Sequence, residues 1–337
     1  MKILINCYNT AFQNESGGVQ VRIKKFITVL KDYNLQVELF NKFTSKVEDF
    51  DILHIFKLDC ENLGLMQYAK NKGKKIVISP IVNVTGGEKI LLYRLLAKIR
   101  IMSSYKIMLN SLKICDKIIT ESKKELNFIH KFYGIDQSKL TCIYNGVNDE
   151  FGNSKLIFQI LGKECEYVLQ VGRFDKNKNQ INVIKALCET NIPLVFIGGA
   201  DPGNESYYKD CLQLAKSNKN IYFLGWQSNQ SEILKSAYHN AKVVVIPSYN
   251  ETFGISVIEG GIAGANLAIS KTLPILENKI FNNCEFFNPS QTKDIFRAIK
   301  NSLNNKCDLD LKRNLKSIFS WENIAKQHVE IYRSLLN

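Results

Sequence analysis

Short apolar runs alternate with amphipathic stretches along the whole chain, the pattern of buried parallel strands connected by helices. In the first half KILIN (2–6), VELF (37–40), ILHIF (52–56), KIVISPI (75–81) and KIIT (117–120) read as buried strands. Between the first two, Val19, Ile23, Phe26, Ile27 and Leu30 recur at helical spacing and predict one apolar helix face. The second half repeats the theme with YVLQVG (167–172), PLVFIGG (193–199), IYFLG (221–225), VVVIP (243–247) and NLAIS (266–270). Helices are predicted there at 180–189, 205–217, 230–240 and 254–264, and NGVNDEFGNS (145–154) reads as a linker. The tail sets Trp321, Ile324, Ala325, Tyr332, Leu335 and Leu336 on one helical stripe, which must dock on another surface. The expected fold class is α/β, two doubly wound Rossmann-like domains facing a cleft, at 1–150 and 151–320.

A length of 337 residues suits two domains, and 45% hydrophobic with 23% charged residues excludes global disorder, collagen-like repeats and a disulfide scaffold. No signal-peptide apolar region and no run of 18 apolar residues occurs, so the expectation is a cytoplasmic protein that does not span a membrane. The nine cysteines have at least 22 residues between neighbours, which gives zinc no ligand spacing and implies reduced thiols. The net charge of +13 splits into +9 over residues 1–155 and +4 over the remainder. A Lys-, Asn- and Ile-rich bias accounts for it as well as an anionic partner does.

Ligands of open parallel sheets sit beyond the carboxyl ends of the strands, so the segments there carry the candidate chemistry. In PSYNETFGISVIEGGIAG, Glu251 precedes a helix start near Phe253 and Glu259 lies two turns inside it, roughly 9 Å along the axis. Amides around Phe253, Gly254 and Ile255 suit an anion, and carboxylates accept from sugar hydroxyls, so the pair suits an extended nucleotide sugar. A surface glutamate followed by a helix-face glutamate is the bland alternative. In VGRFDKNKNQ, Arg173 and Lys178 are candidates to neutralise a pyrophosphate; alone they read as a loop salt-bridge residue and a solvated lysine. Gly17 and Gly18 precede the first helix, either as a close approach to phosphate or acceptor or as an ordinary turn.

VGRFDKNKNQ, FIGGAD, IYFLGW and PSYNETFGISVIEGGIAG with its Glu-x7-Glu spacing resemble the retaining GT-B glycosyltransferases of the large family (glycosyltransferase family 4-like) that includes sucrose synthase and bacterial polysaccharide glycosyltransferases. YNGVN (144–148) resembles the family's domain junction, and the tail 321–337 resembles its closing helix, which implies a return to the first domain. The resemblance runs nearly end to end and is strongest over 165–270. It implies that Arg173 and Lys178 hold the donor diphosphate and that Glu251 contacts the donor sugar. It further implies that Thr252, Phe253 and Gly254 meet sugar and phosphate, that Glu259 takes the ribose hydroxyls, and that Trp226 stands beside the nucleobase, with Gly17 and Gly18 also on the donor side. Many relatives carry a histidine at the end of the fourth strand of the first domain. This chain has SPIVN there, leaving Ser79 or Asn83 as its polar groups, and the lone nearby histidine, His54, reads as structural.

The implied reaction moves a sugar with retention from a nucleotide diphosphate sugar, a UDP-sugar favoured, to a glycan or lipid-linked glycan. Bacterial surface polysaccharide assembly is the expected setting. No metal or other cofactor is expected, because cationic side chains meet the leaving diphosphate. GGADPG (198–203) has the wrong spacing for a nicotinamide fingerprint, and no aromatic-plus-basic cluster suggests nucleic acid. A sugar-nucleotide epimerase and a non-enzymatic binder of anionic polymers remain the alternatives. Residues 93–117 carry Arg94, Lys98, Arg100, Lys106, Lys113 and Lys117 against Asp116 alone. That stretch fits either a peripheral contact with an anionic membrane or a helix pair packed on the sheet.

Overall fold

The structure, a computed structural model, describes residues 1–13, 18–82, 103–251 and 253–337. The chain divides into unit 1, residues 1–146 with 321–337, and unit 2, residues 147–320. The boundary falls slightly before 150 because Val147 already forms a parallel bridge with Ser320, its amide donating to the Phe319 carbonyl at 3.0 Å.

Unit 1 is built on β1 (Lys2–Asn6), β2 (Gln36–Leu39), β3 (Ile52–Phe56), β4 (Lys75–Ser79), β5 (Lys117–Thr120) and β6 (Leu140–Cys142). All pairings are parallel, in the order β2-β1-β3-β4-β5-β6. Its described helices are α1 (Gly18–Lys31), α2 (Leu63–Asn71), α3 (Ser104–Ile114), α4 (Lys123–Tyr133) and the C-terminal helix Trp321–Leu336. Ser103 and Ser122 cap α3 and α4 by accepting from the amides of Lys106 and Glu125. β3 is apolar apart from His54 and buried throughout, as a strand covered on both faces must be.

The C-terminal helix packs on α1, sharing one core with Ile3, Phe26 and Phe56. Of the predicted stripe Trp321, Ile324, Ala325 and Tyr332 are buried and Leu335 packs against the same core; His328 and Val329 join them on that face, and Leu336 is exposed. A Cβ at Gly146 would lie 2.4 Å from the Trp321 ring, which makes glycine obligatory where this helix meets the preceding chain. KIVISPI ends as a strand at Ser79 because Pro80 has no N–H for a ladder, and Ile81 then takes φ 50°, an uncommon conformation for a β-branched residue.

Unit 2 contains β7 (Val168–Val171), β8 (Leu194–Ile197), β9 (Ile221–Phe223), β10 (Val243–Ile246), β11 (Asn266–Ser270) and β12 (Glu285–Phe287), again all parallel, in the order β12-β11-β10-β7-β8-β9. Its helices are α5 (Leu156–Leu161), α6 (Gln180–Leu187), α7 (Glu205–Ala215), α8 (Glu232–Asn240), α9 (Ile255–Ala263), α10 (Thr292–Asn304) and α11 (Leu309–Phe319). The C-terminal helix is α12. α9 is apolar almost all round because it is wedged between the sheet and α11. At Gly260 a Cβ would come within 2.8 Å of Val244, and at Gly261 within 2.3 Å of Leu315, so the paired glycines set that close approach. β6 and β12, three-residue edge strands interrupted by Thr141 and opened by Glu285, are absent from the sequence reading.

Candidate active site

From β7 the chain winds to β8 and β9 on one side and later to β10, β11 and β12 on the other. The loops leaving β7 and β10 therefore part at a topological switch point, where open parallel sheets accept ligands. They are residues 172–179 and 247–254, the two segments in which Arg173, Lys178 and Glu251 were singled out.

Neither loop is loose. Asn177 donates from Nδ2 to the Asn250 carbonyl at 2.8 Å and accepts the Asn250 amide on Oδ1 at 3.0 Å, stitching one loop to the other. Buried Asn179, at φ 58°, donates to the carbonyls of Pro247 and Pro289, and Gln170 and Gln180 donate to the carbonyls of Lys178 and Arg173. The Lys178 amide donates to Asp175 Oδ1 at 2.8 Å. The polar run KNKNQ, which resembles solvated loop in sequence, thus satisfies buried backbone groups on three sides.

This bracing delivers Lys178 Nζ to Glu251 Oε1 at 2.5 Å, and Ser248 Oγ donates to the same oxygen at 2.7 Å. The two charged side chains keep 19% and 14% of their surface exposed, enough for a ligand to reach them. Among the described residues no hydrogen bond reaches Glu251 Oε2, so one carboxylate oxygen is anchored and the other is open. Arg173 is about half exposed and bridges Asp175, at 2.7 Å, and Asp201 in the loop after β8, at 2.9 Å. Gly198 starts that loop at φ 137°, with its Cβ position only 2.0 Å from the Gly172 carbonyl oxygen, so the loops after β7 and β8 touch through backbone.

Glu259 has a different environment. Tyr238, fully buried on α8, donates to Glu259 Oε2 at 2.9 Å. Glu259 retains some solvent contact but is packed by protein on nearly every side, and this desolvation pushes its carboxyl up to about 7. Trp226 is half exposed, its indole lying where any side chain at Gly199 would be, 2.6 Å from that Cβ position. Phe253 is buried, and Gly254, at φ 100°, is the N-cap of α9 without a side-chain cap bond. Thr252 and Gly17 lie outside the described residues; Gly18 opens α1 of unit 1.

Unit 1 supplies no exposed histidine at the end of β4. Ser79 is buried and bonded to His54 Nε2 at 3.0 Å, while His54 Nδ1 meets the Tyr332 hydroxyl at 2.6 Å. His54 is therefore structural, and Ser79 is committed to it; Asn83 lies outside the described residues. The basic segment 93–117 is described only from 103: α3 turns Tyr105, Leu109 and Leu112 into the core, and Lys117 starts β5. Arg94, Lys98 and Arg100 lie outside the described residues. Among those described, no helix is long and apolar enough to cross a membrane.

Sequence reasoning missed the groups that hold the site: Asn177, Asn179, Ser248 and Tyr238. The only signal was the density of amide side chains between Asp175 and Gln180.

Residues 154–317 match the family model for glycosyl transferases group 1, and residues 3–151 match that for glycosyltransferase family 4. The uncharacterized glycosyltransferase MJ1607 of Methanocaldococcus jannaschii is 28% identical over 239 residues, 64% of this chain and 60% of its own length. The O-antigen chain mannosyltransferase RfbU of Salmonella typhimurium is 29% identical over 194 residues, 57% of this chain and 52% of its own. The match thus spans between half and three-fifths of these relatives. Among solved structures, HepE of Anabaena in complex with UDP is similar with a TM-score of 0.75 at 16% identity, covering 99% of this chain and 100% of that one. Sucrose-phosphate synthase of Thermosynechococcus elongatus gives 0.78 at 16%, covering 100% and 99%. Both likenesses are likenesses of fold.

Proposed function

The chain belongs to the GT-B glycosyltransferases of the family 4-like group, and from that premise we propose that it transfers a sugar from a nucleotide diphosphate sugar to a glycan or lipid-linked glycan acceptor with retention. The observation that carries this reading is the Lys178–Glu251–Ser248 constellation at the switch point of unit 2, with Glu259 about one turn into the helix that follows. A cation and a half-open carboxylate held together in a braced crevice suit a ligand that is anionic at one point and hydroxylated at the next.

In this reading the donor diphosphate draws Lys178 away from Glu251 and Arg173 away from Asp201. The released Glu251 oxygen accepts from hydroxyls of the transferred sugar. Glu259 accepts from the ribose, Trp226 lies along the base, and the α9 start at Gly254 and Ile255 adds its positive end. Charge grows on the leaving diphosphate as the glycosidic bond breaks, and the two cations stabilise it there. The diphosphate oxygen then takes the proton of the acceptor hydroxyl attacking on the same face. These cations supply the charge stabilisation, so the scheme requires no metal. The relatives named for O-antigen chains and outer-core lipopolysaccharide favour a surface-glycan acceptor.

Incubation with UDP-, GDP- and ADP-hexoses, with and without a glycan acceptor, tests the proposal. NMR of the product should show transfer with the donor's anomeric configuration kept. Conversion of the donor sugar without acceptor would mark an epimerase instead, and an inverted linkage would refute retention.

A further inference from the structure

We infer that Tyr238 is a positioning residue for the nucleotide end of the donor: its hydroxyl anchors one oxygen of Glu259 and holds that carboxylate in the form that accepts ribose hydroxyls. The inference rests on the placement of ribose at Glu259 proposed above.

The two glutamates of the site are solved by different means. Glu251 has a lysine beside it, whereas Glu259 has one neutral donor, the Tyr238 hydroxyl at 2.9 Å. The remaining faces of α9 meet apolar groups: Val244 of β10, Leu267 of β11 and Leu315 of α11. Lys312 of α11 approaches only the far end, beside Gly264. Among the described residues the phenol is therefore the one titratable group acting on this carboxyl. Tyr238 is itself fully buried, its ring packed at 5.3 Å from that of Phe151, and burial holds its ionisation well above the ordinary value, so it keeps the proton that it donates to the carboxylate. A bond from a neutral donor stabilises the ionised carboxylate against the desolvation that opposes it. Oε2 is occupied in this way, and among the described residues no hydrogen bond reaches Oε1. A ribose hydroxyl would donate to Oε1, and only the ionised carboxylate offers both oxygens as acceptors.

The test is donor binding by calorimetry between pH 6 and 8.5, with UDP-glucose, GDP-mannose and ADP-glucose as probes, whose diphosphates do not titrate in that range. Wild-type affinity for whichever probe binds should rise with pH through about 7, following Glu259. In Tyr238→Phe the rise should move to higher pH: about fivefold weaker binding at pH 7, closing to within about twofold at pH 8.5, for a carboxyl raised by about one unit. Glu259→Gln should bind weakly and without this pH dependence. Parallel loss by Tyr238→Phe at every pH, or none, overturns the positioning role while leaving ribose at Glu259. Unchanged binding by Glu259→Gln, or no binding of any probe by the wild type, overturns the ribose placement and the inference with it.

Discussion

Each unit carries a cluster of charges, and the two are built to opposite ends. In unit 1, Arg22 pairs with Glu121, all but sealed from solvent, beside Glu125, whose oxygens accept the amides of Val82 and Glu121 at 2.7 and 2.8 Å. Arg22 also lies over the Phe56 ring at 5.2 Å. Burial pushes Glu125 up to about 7 and Arg22 down to about 10. In unit 2, Lys178, Glu251 and Arg173 stand partly in water, each paired with a group that a phosphate or a hydroxyl can replace. The first cluster joins the chain after β5 to α1 and to the base of the segment following β4. The second leaves its charges available. Paired charges therefore signal a ligand site only where solvent still reaches them; sealed charges are structure.

That contrast predicts which quantity each cluster controls. Arg22→Ala would leave two buried carboxylates without their cation, a change that costs about 3–5 kcal/mol. Chemical unfolding followed by Trp321 fluorescence in a Trp226→Phe background reads unit 1 alone, and its midpoint should fall accordingly. Replacing Arg22 by Met together with Glu121 by Leu should recover part of the loss. An Arg22→Ala protein as stable as the wild type would mean that the cluster is not sealed.

Lys178→Ala should do the reverse. Its ion pair is partly solvated, so stability should change by about 1 kcal/mol or less. Turnover should drop by about 100- to 1000-fold, the usual cost of removing one group aimed at charge developing in a transition state. Arg173→Ala should lose less, because that side chain is half exposed. Near wild-type turnover in the Arg173→Ala, Lys178→Ala double variant would remove the diphosphate assignment.

Within unit 2 the comparison sharpens to the two glutamates. Glu251→Ala should reduce turnover by about 100-fold with binding of free nucleoside diphosphate changed by less than about threefold, since the sugar alone loses its acceptor. Glu259→Ala should instead weaken nucleoside diphosphate and donor alike, by about 10-fold or more. Equal loss of nucleotide binding in both variants would end the division of labour.

Much of this was legible from sequence, and the omissions have physical causes. Strands buried on both faces announce themselves as apolar runs, so ten of the twelve described strands appear in the reading; the edge strands β6 and β12 do not. Arg173, Lys178, Glu251 and Glu259 could be picked out because their spacing relative to strand ends fixes which rim they reach. The partners of those side chains could not. Ser248 and Tyr238 meet the glutamates only through tertiary packing, and whether Asn177 points to water or to the next loop depends on a pairing 73 residues away. The docking face of α12 was legible except at one position: His328 reads as polar in sequence and is buried in the structure.

That histidine supplies the finest test of the sealed-versus-open contrast. His328 Nδ1 lies 2.8 Å from the Ile324 carbonyl, which can only accept, so the proton is on Nδ1; Nε2 is buried with no partner among the described residues. Burial first, opposed by that hydrogen bond and reinforced by nearby Arg22, pushes its pKa down to about 3, against about 6.5 in an unfolded chain. The unfolded state therefore binds the extra proton between those values, and the stability that His328 contributes as a neutral group is lost as pH falls below about 6.5. Glu125 works in the opposite sense. Its folded pKa of about 7 exceeds the unfolded value near 4.5, so its contribution declines as pH rises through that window. Comparing wild type with His328→Leu cancels the Glu125 part. Between pH 6 and 5 the variant should gain about 1 kcal/mol on the wild type, about 2–4 °C in the unit 1 melting transition. Parallel melting curves across that interval would show that the proton reaches His328 in the folded protein, and that the cluster around it is open to water.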